Sequence, residues 1–235
     1  MAGIPELLYH TVLTVFDDHP ARIGFRRRSV FVLNTHATLP AAKAFAAKGL
    51  ETLGYEPSDF VTYAVHDGTS EWSYGDGNIV FAKAPAGQEF VVSIDTTPNP
   101  EELSAGPDGT VQLAAPQSKH HHQGAADTSA GPQLHYVLQT KVDYDQDRGG
   151  VYKATEIEGC YLHRKDAIAA AKNCLKDIGD EFAQYDERED LGKADDWPFG
   201  EDVLVHAVSQ SGENYSVAVR TILGAHEKHA KKNQK

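Results

Sequence analysis

Two tryptophans, each followed closely by an aromatic ring, a glycine and an acid, are the residues of this chain best suited to holding a ligand. The first set is Trp72, Tyr74, Gly75 and Asp76; the second is Trp197, Phe199, Gly200 and Glu201. A large ring beside a glycine that lets backbone approach closely builds a ligand wall, and a neighbouring acid adds a polar or proton-transferring group. His206 puts a titratable ring where the first set has Phe81. Trp72, Tyr74, Asp76, Trp197, Phe199, Glu201 and His206 are therefore the candidate ligand-binding residues, with Asp202 as a further acid. The same residue types also plug the end of a β core, and none is assigned a catalytic role.

Other polar clusters fall short of a defined chemistry. Tyr9-His10 matches His135-Tyr136 with the residue types exchanged, so the two imidazoles are expected on opposite sheet faces. His120-His121-His122 has metal affinity but lies in a proline- and glycine-rich stretch, where ordering costs oppose a fixed site. His226 and His229 are three apart and miss the four-residue spacing that puts both rings on one metal. Asp143, Asp145 and Asp147 start like a calcium loop, but Arg148 stands where glycine is needed and Ala154 where a bidentate glutamate is needed. Gly75-Asp76-Gly77 lacks the third glycine and the helix of a dinucleotide fingerprint. No metal and no cofactor is expected.

The net charge of −12 repels phosphate backbones, so nucleic-acid binding would need a dense basic stripe. Arg26-Arg27-Arg28 is the candidate, but alternation along a strand splits it two against one, and a solvated edge is expected. No run approaches the ~20 apolar residues of a membrane span. The start MAGIPELLYH lacks the basic, apolar and small-residue regions of a signal peptide, so cytoplasmic residence is expected. Cys160 and Cys174 then read as partly buried thiols, and the sequon at Asn214 as unglycosylated. The acidic stretch from Asp177 to Asp196 reads as a solvated face.

The elements that must position the candidate residues come in two copies. Trp72 to Thr96 lies over Trp197 to Thr221 for twenty-five positions without a gap, matching Val80 with Val205, Ala82 with Ala207, Phe90 with Tyr215 and Val92 with Val217. A half-length folding unit is implied. In each copy two strands precede a helix and two follow it: Leu8 to Phe16 and Phe25 to Asn34 before a helix that Thr38 caps, then Leu134 to Asp143 and Val151 to Leu162 before a longer helix from about Asp166. The expected helical stripes are Leu39, Ala42, Ala46, Leu50, Leu53 and Ile168, Ala171, Leu175, Ile178, Phe182. The pairs Leu33/Leu162 and Ala41-Ala42-Lys43/Ala170-Ala171-Lys172 set the helix register between copies. Phe60 to His66 reads as an extra strand whose counterpart is the acidic region around Tyr185.

The expected fold is α+β: two tandem duplicated ββαββ modules, mainly antiparallel, with one helix each and a pseudo-twofold relation. The modules span residues 7–97 and 133–223; residues 98–132, almost free of large apolar side chains, read as a flexible linker, and 224–235 as a basic tail. Two functions follow. The first is a non-enzymatic interaction protein that binds a protein or peptide through strand edges or the intermodule groove. The second is a small-molecule binder or enzyme whose pocket lies on the twofold axis between both tryptophan segments, with Asp95 facing Arg220.

Overall fold

The computed structural model describes residues 3–18, 26–68, 71–113, 133–144, 153–176, 178, 182–191 and 197–222. The histidine tract, the His226 motif, Asp145, Asp147, Arg148 and the basic tail lie outside them.

Ten strands form two five-stranded antiparallel sheets. The first half contributes β1 (Leu7–Asp18), β2 (Arg26–His36), β3 (Thr62–Val65), β4 (Asn78–Lys83) and β5 (Glu89–Pro98), ordered β2-β1-β5-β4-β3. After a small hairpin of β6 (Ser104–Ala105) and β7 (Val111–Gln112), the second half contributes β8 (His135–Asp143), β9 (Lys153–Tyr161), β10 (Phe182–Glu187), β11 (Val203–Ser209) and β12 (Glu213–Thr221), ordered β10-β11-β12-β8-β9. Read from opposite ends, the two orders are the same. Helices α1 (Leu39–Ala46) and α2 (Gly49–Thr52) follow β2, and α3 (Arg164–Asn173) follows β9. Each half therefore carries one strand more than the expected ββαββ. Thr62–Val65 supplies it in the first half, and the acidic region around Tyr185 supplies it in the second.

Apolar residues on both faces of the central strands make four layers: helix, sheet, sheet, helix. Leu8, Val12, Val30 and Val32 meet Leu134, Tyr136, Leu138, Ile157 and Cys160 between the sheets. On the outer faces Leu13, Leu33, Val80, Phe90 and Val92 pack under Ala46 and Leu50. Their counterparts Val137, Leu204, Val205, Tyr215 and Val217 pack under Ala167, Ala171 and Leu175. The sheets thus stack rather than join edge to edge.

The ladders share a defect as well as an order. Between Thr11 and Val12 the register with β2 slips past Leu33, and between Val137 and Leu138 the register with β9 slips past Glu158. Such a bulge increases local twist, and here it turns Thr35 and Cys160 toward the opposing sheet. It also corrects the helix register. Leu33 corresponds to Glu158 rather than Leu162, and buried Ala42, Ala46 and Leu50 correspond to Ala167, Ala171 and Leu175, one helical turn from the alanine-lysine match. Leu39, expected in the buried stripe, is 38% exposed. Helix α3 begins at Arg164 and ends at Asn173, so the apolar period that runs on to Phe182 outlasts the helix; Ile178 and Phe182 still pack on the same core.

Residues 99–113, assigned by composition to a flexible linker, are folded against the sandwich. Leu103 is buried in the inter-sheet core, with Val111 and Leu113 beside it. The Asn99 side chain donates to Pro5 and Leu103 carbonyls and accepts from the Leu103 amide, while Ala37 N donates to Gly109 O. One leucine and one asparagine clamp suffice where average composition pointed to disorder. Replacing Leu103 with alanine should lower unfolding free energy by about 2–4 kcal/mol in urea titrations, the usual cost of truncating a buried leucine. A change within a few tenths of a kcal/mol would mean that this segment contributes nothing to the core.

Candidate functional site

His206 lies on β11, and the other candidate residues lie in the segments that lead into β4 and β11. Val80 and Ala82 point into the helix-side core, so alternation turns Phe81 to the other face, and Val205 and Ala207 do the same for His206. Three strand pairs cover the middle of that face. β1 lies over β8, β5 lies against β9 with Asp95 Oδ2 accepting from Ile157 N at 3.4 Å, and β2 approaches β12, where Arg220 Nη1 donates to Val30 O at 3.2 Å. β9 and β2 are the last strands of their sheets. β4 and β3 consequently project past one side of the overlap, and β11 and β10 past the other, as two ledges.

Each ledge carries a ladder of rings. On the first, Tyr74 stacks on Phe81 at 4.4 Å and 9°, Trp72 meets Tyr74 edge-on at 5.1 Å, and His66 lies over Trp72 at 4.9 Å. On the second, Phe199 stacks on His206 at 3.8 Å and 6°, Trp197 meets Phe199 at 5.0 Å, and the Arg188 guanidinium covers Trp197 at 5.3 Å. Offset and edge-on contacts of this kind fix ring orientation. The three ladder rings named by the sequence on each side, Trp72, Tyr74 and Phe81 and then Trp197, Phe199 and His206, are half-buried. Left-handed glycines at Gly75 (φ 93°) and Gly200 (φ 119°) fold the segment back so that the tryptophan reaches its partner.

His66 and Arg188 were not visible as site residues in the sequence. They hold one position, since His66 N donates to Ile79 O and Arg188 N to Leu204 O, but they differ in type and in distance from their tryptophans. The acids Asp76 and Glu201 stand exposed in the turns; Glu201 takes part through its carbonyl, which accepts from Arg188 Nη2. The ledges differ in polarity. Trp72 Nε1 donates to Gly75 O at 2.9 Å, whereas Trp197 Nε1 and His206 Nδ1 are buried with no hydrogen-bond partner among the described residues. Burial lowers the His206 pKa, against an opposing pull from Asp186, its cross-strand neighbour.

The two tryptophan segments do not line one cavity. Four strand spacings separate β4 from β11 across the overlap, on the order of 19 Å at ~4.8 Å each. Asp95 and Arg220 do not face each other either: Asp95 engages Ile157 N, and Arg220 Nε lies 3.2 Å from Asp202. The centre of the overlap is held instead by His10 and Tyr136, which occupy equivalent ladder positions two residues before Val12 and Leu138.

Both His10 ring nitrogens are used, Nδ1 by Thr35 Oγ1 at 2.9 Å and Nε2 by Thr97 Oγ1 at 2.8 Å, and Thr35 Oγ1 also meets Tyr136 OH at 2.8 Å. Neutral imidazole has one donor and one acceptor, so this network satisfies it fully. Burial depresses the His10 pKa to about 4 and raises that of the Tyr136 phenol. Burial likewise pushes both thiols up to about 12; Cys174 donates to Gln139 Oε1 at 3.2 Å.

Comparison with known protein families, curated proteins and solved structures finds no match.

A histidine buried neutral stabilises the fold above its unfolded pKa near 6.5 and loses that contribution as acid drives its protonation in the unfolded chain. Between pH 7 and pH 4 the His10 contribution should fall by about 3 kcal/mol. Urea unfolding across that range should show a correspondingly shallower pH slope for His10→Leu than for the wild-type chain; equal slopes would place the titration elsewhere.

Proposed function

We propose that this protein is a non-enzymatic interaction protein that captures an extended protein or peptide segment at its ledges. The observation that carries the reading is the repetition of a half-buried aromatic ladder beside a strand that pairs on one side only. Among the described residues β3 pairs with β4 alone and β10 with β11 alone. Val61 and Val65 on the first edge and Tyr185 on the second are exposed. An added strand would gain backbone hydrogen bonds from the edge and rest alternate side chains on the rings.

The two halves are best understood as copies of one unit, ββαβββ by strand order, related by a pseudo-twofold axis near His10 and Tyr136. The common strand order, the matching bulges and the matching alanines of α1 and α3 support that history. Duplication gives two capture sites, and their differences then set specificity. The first ledge offers Ala64 and Phe81 in one cross-strand row; the second offers Asp186 and His206. A second reading, a small planar ligand on the second ledge, is favoured by Trp197 Nε1 and His206 Nδ1, which are buried without a partner among the described residues.

Panning a library of extended peptides against the protein tests the first reading. Selected peptides should lose at least about tenfold in affinity with Val65→Lys or Tyr185→Lys, because a lysine on an edge strand guards it against pairing. Leu39→Lys, on the exposed side of α1, should leave affinity unchanged. Failure to select any peptide, together with a small aromatic ligand that protects Trp197 fluorescence from quenching, would replace the first reading with the second.

A further inference from the structure

Arg28 and Lys153 occupy equivalent ladder positions, four residues before Val32 and Ile157, which pair with Val12 and Leu138 beyond the two bulges. They meet between the sheets, where Arg28 Nη1 donates to the carbonyl oxygen of Lys153. Arg220 enters from β12, with Nη1 on Val30 O at 3.2 Å and Nε 3.2 Å from Asp202 Oδ2. Three strands thus bring three cations to one end of the sandwich, with the Phe16 ring 5.8 Å beneath the Arg28 guanidinium.

A near-twofold arrangement brings a side chain to its own counterpart, so charge there cannot complement itself. The chain has 34 acidic against 22 basic residues, which leaves no shortage of acids to place beside these cations. Yet among the described residues Asp202 is the one carboxylate paired with any of the three, Arg28 Nε is buried without an acceptor, and Lys153 Nζ has no hydrogen-bond partner. The strain is registered electrostatically: burial lowers the Lys153 pKa, and Arg220, Arg28 and Arg27 lower it further. Arg28 and Arg220 are only half-buried, so solvent reaches the cluster.

We infer that the cluster formed by Arg28, Lys153 and Arg220 binds a small oxyanion of the phosphate type. Guanidinium forks match oxyanion geometry, and lysine adds a point charge. The Val30 and Lys153 carbonyls hold both forks in place and leave further N–H groups for the anion. The Thr155 hydroxyl, two residues along the same face of β9 and 3.0 Å from Thr140 Oγ1, marks the inner wall. Asp202 stays on Arg220 and confines the anion to the Arg28 and Lys153 side.

The test is calorimetric titration of the full chain with inorganic phosphate and with pyrophosphate, beside thermal unfolding in phosphate and in chloride at equal ionic strength. Phosphate should raise the unfolding midpoint by about 3 °C over chloride, the linkage expected of a ligand that binds the folded state alone. Arg28→Gln and Lys153→Gln should each weaken phosphate binding about tenfold, the loss of one charge-assisted contact. Lys141→Gln, which removes a cation paired elsewhere with Glu213, should not. Should Arg28→Gln fail to fold because the Lys153 carbonyl loses its donor, Lys153→Gln decides alone. Equal midpoints in phosphate and chloride, or variants that bind as tightly as the wild type, would overturn the site.

Discussion

The burial of β1 against β8 is the constraint from which the rest of the structure follows. Each strand is flanked on both sides in its sheet and apolar on both faces, so neither half can satisfy its inner face alone; a five-stranded sheet with one helix covers a single side. Contact between the two inner faces removes Leu8, Val12, Leu138 and their neighbours from water. It also buries His10, Thr35, Thr97 and Tyr136, and these polar groups are tolerated because each finds a partner in the others. A closed polar network inside an apolar interface fixes one relative placement of the sheets, since any slip would orphan several donors at once.

That placement limits the overlap to three strands a side. The outer two strands of each sheet must then project, and their inward faces must be finished by something other than the opposite sheet. Aromatic ladders do this on both sides: Tyr74 and Phe199 stack on Phe81 and His206, and left-handed glycines fold Trp72 and Trp197 back onto Tyr74 and Phe199. The same geometry gathers Arg28, Lys153 and Arg220 at one end of the interface. Ledge and cation cluster are thus two consequences of one partial overlap, and both are larger in a half-covered sandwich than in a fully covered one.

Differences between the halves are concentrated where solvent is reached. Ala42, Ala46 and Leu50 in one half and Ala167, Ala171 and Leu175 in the other are all buried under the sheets, where close helix-to-sheet packing admits little variation in volume. His66 and Arg188, or Phe81 and His206, share positions but differ in polarity. No ion pair can be traded across that distance, so each ledge answers to its own surroundings. The network of Lys141, Glu213, Tyr215 and Ser211 makes the same point: the matching residues of the first half, among them Ala86, Gln88 and Phe90, carry no such charges.

The sequence alone determined the α+β class, the predominance of antiparallel strands and the capping of α1 by Thr38, because alternation and helical period are local properties. Where a decision rested on one residue, it faltered: Leu103 and Asn99 order a stretch whose average composition signals disorder, and a bulge at Leu33 shifts a register that counting alone placed a helical turn away. Tertiary structure alone decided which ladder stands apart from the other, that His10 faces Tyr136, and that Arg28 meets Lys153. Those contacts join residues more than a hundred positions apart, and their geometry is set by how far two twisted sheets overlap, a quantity that no local pattern encodes.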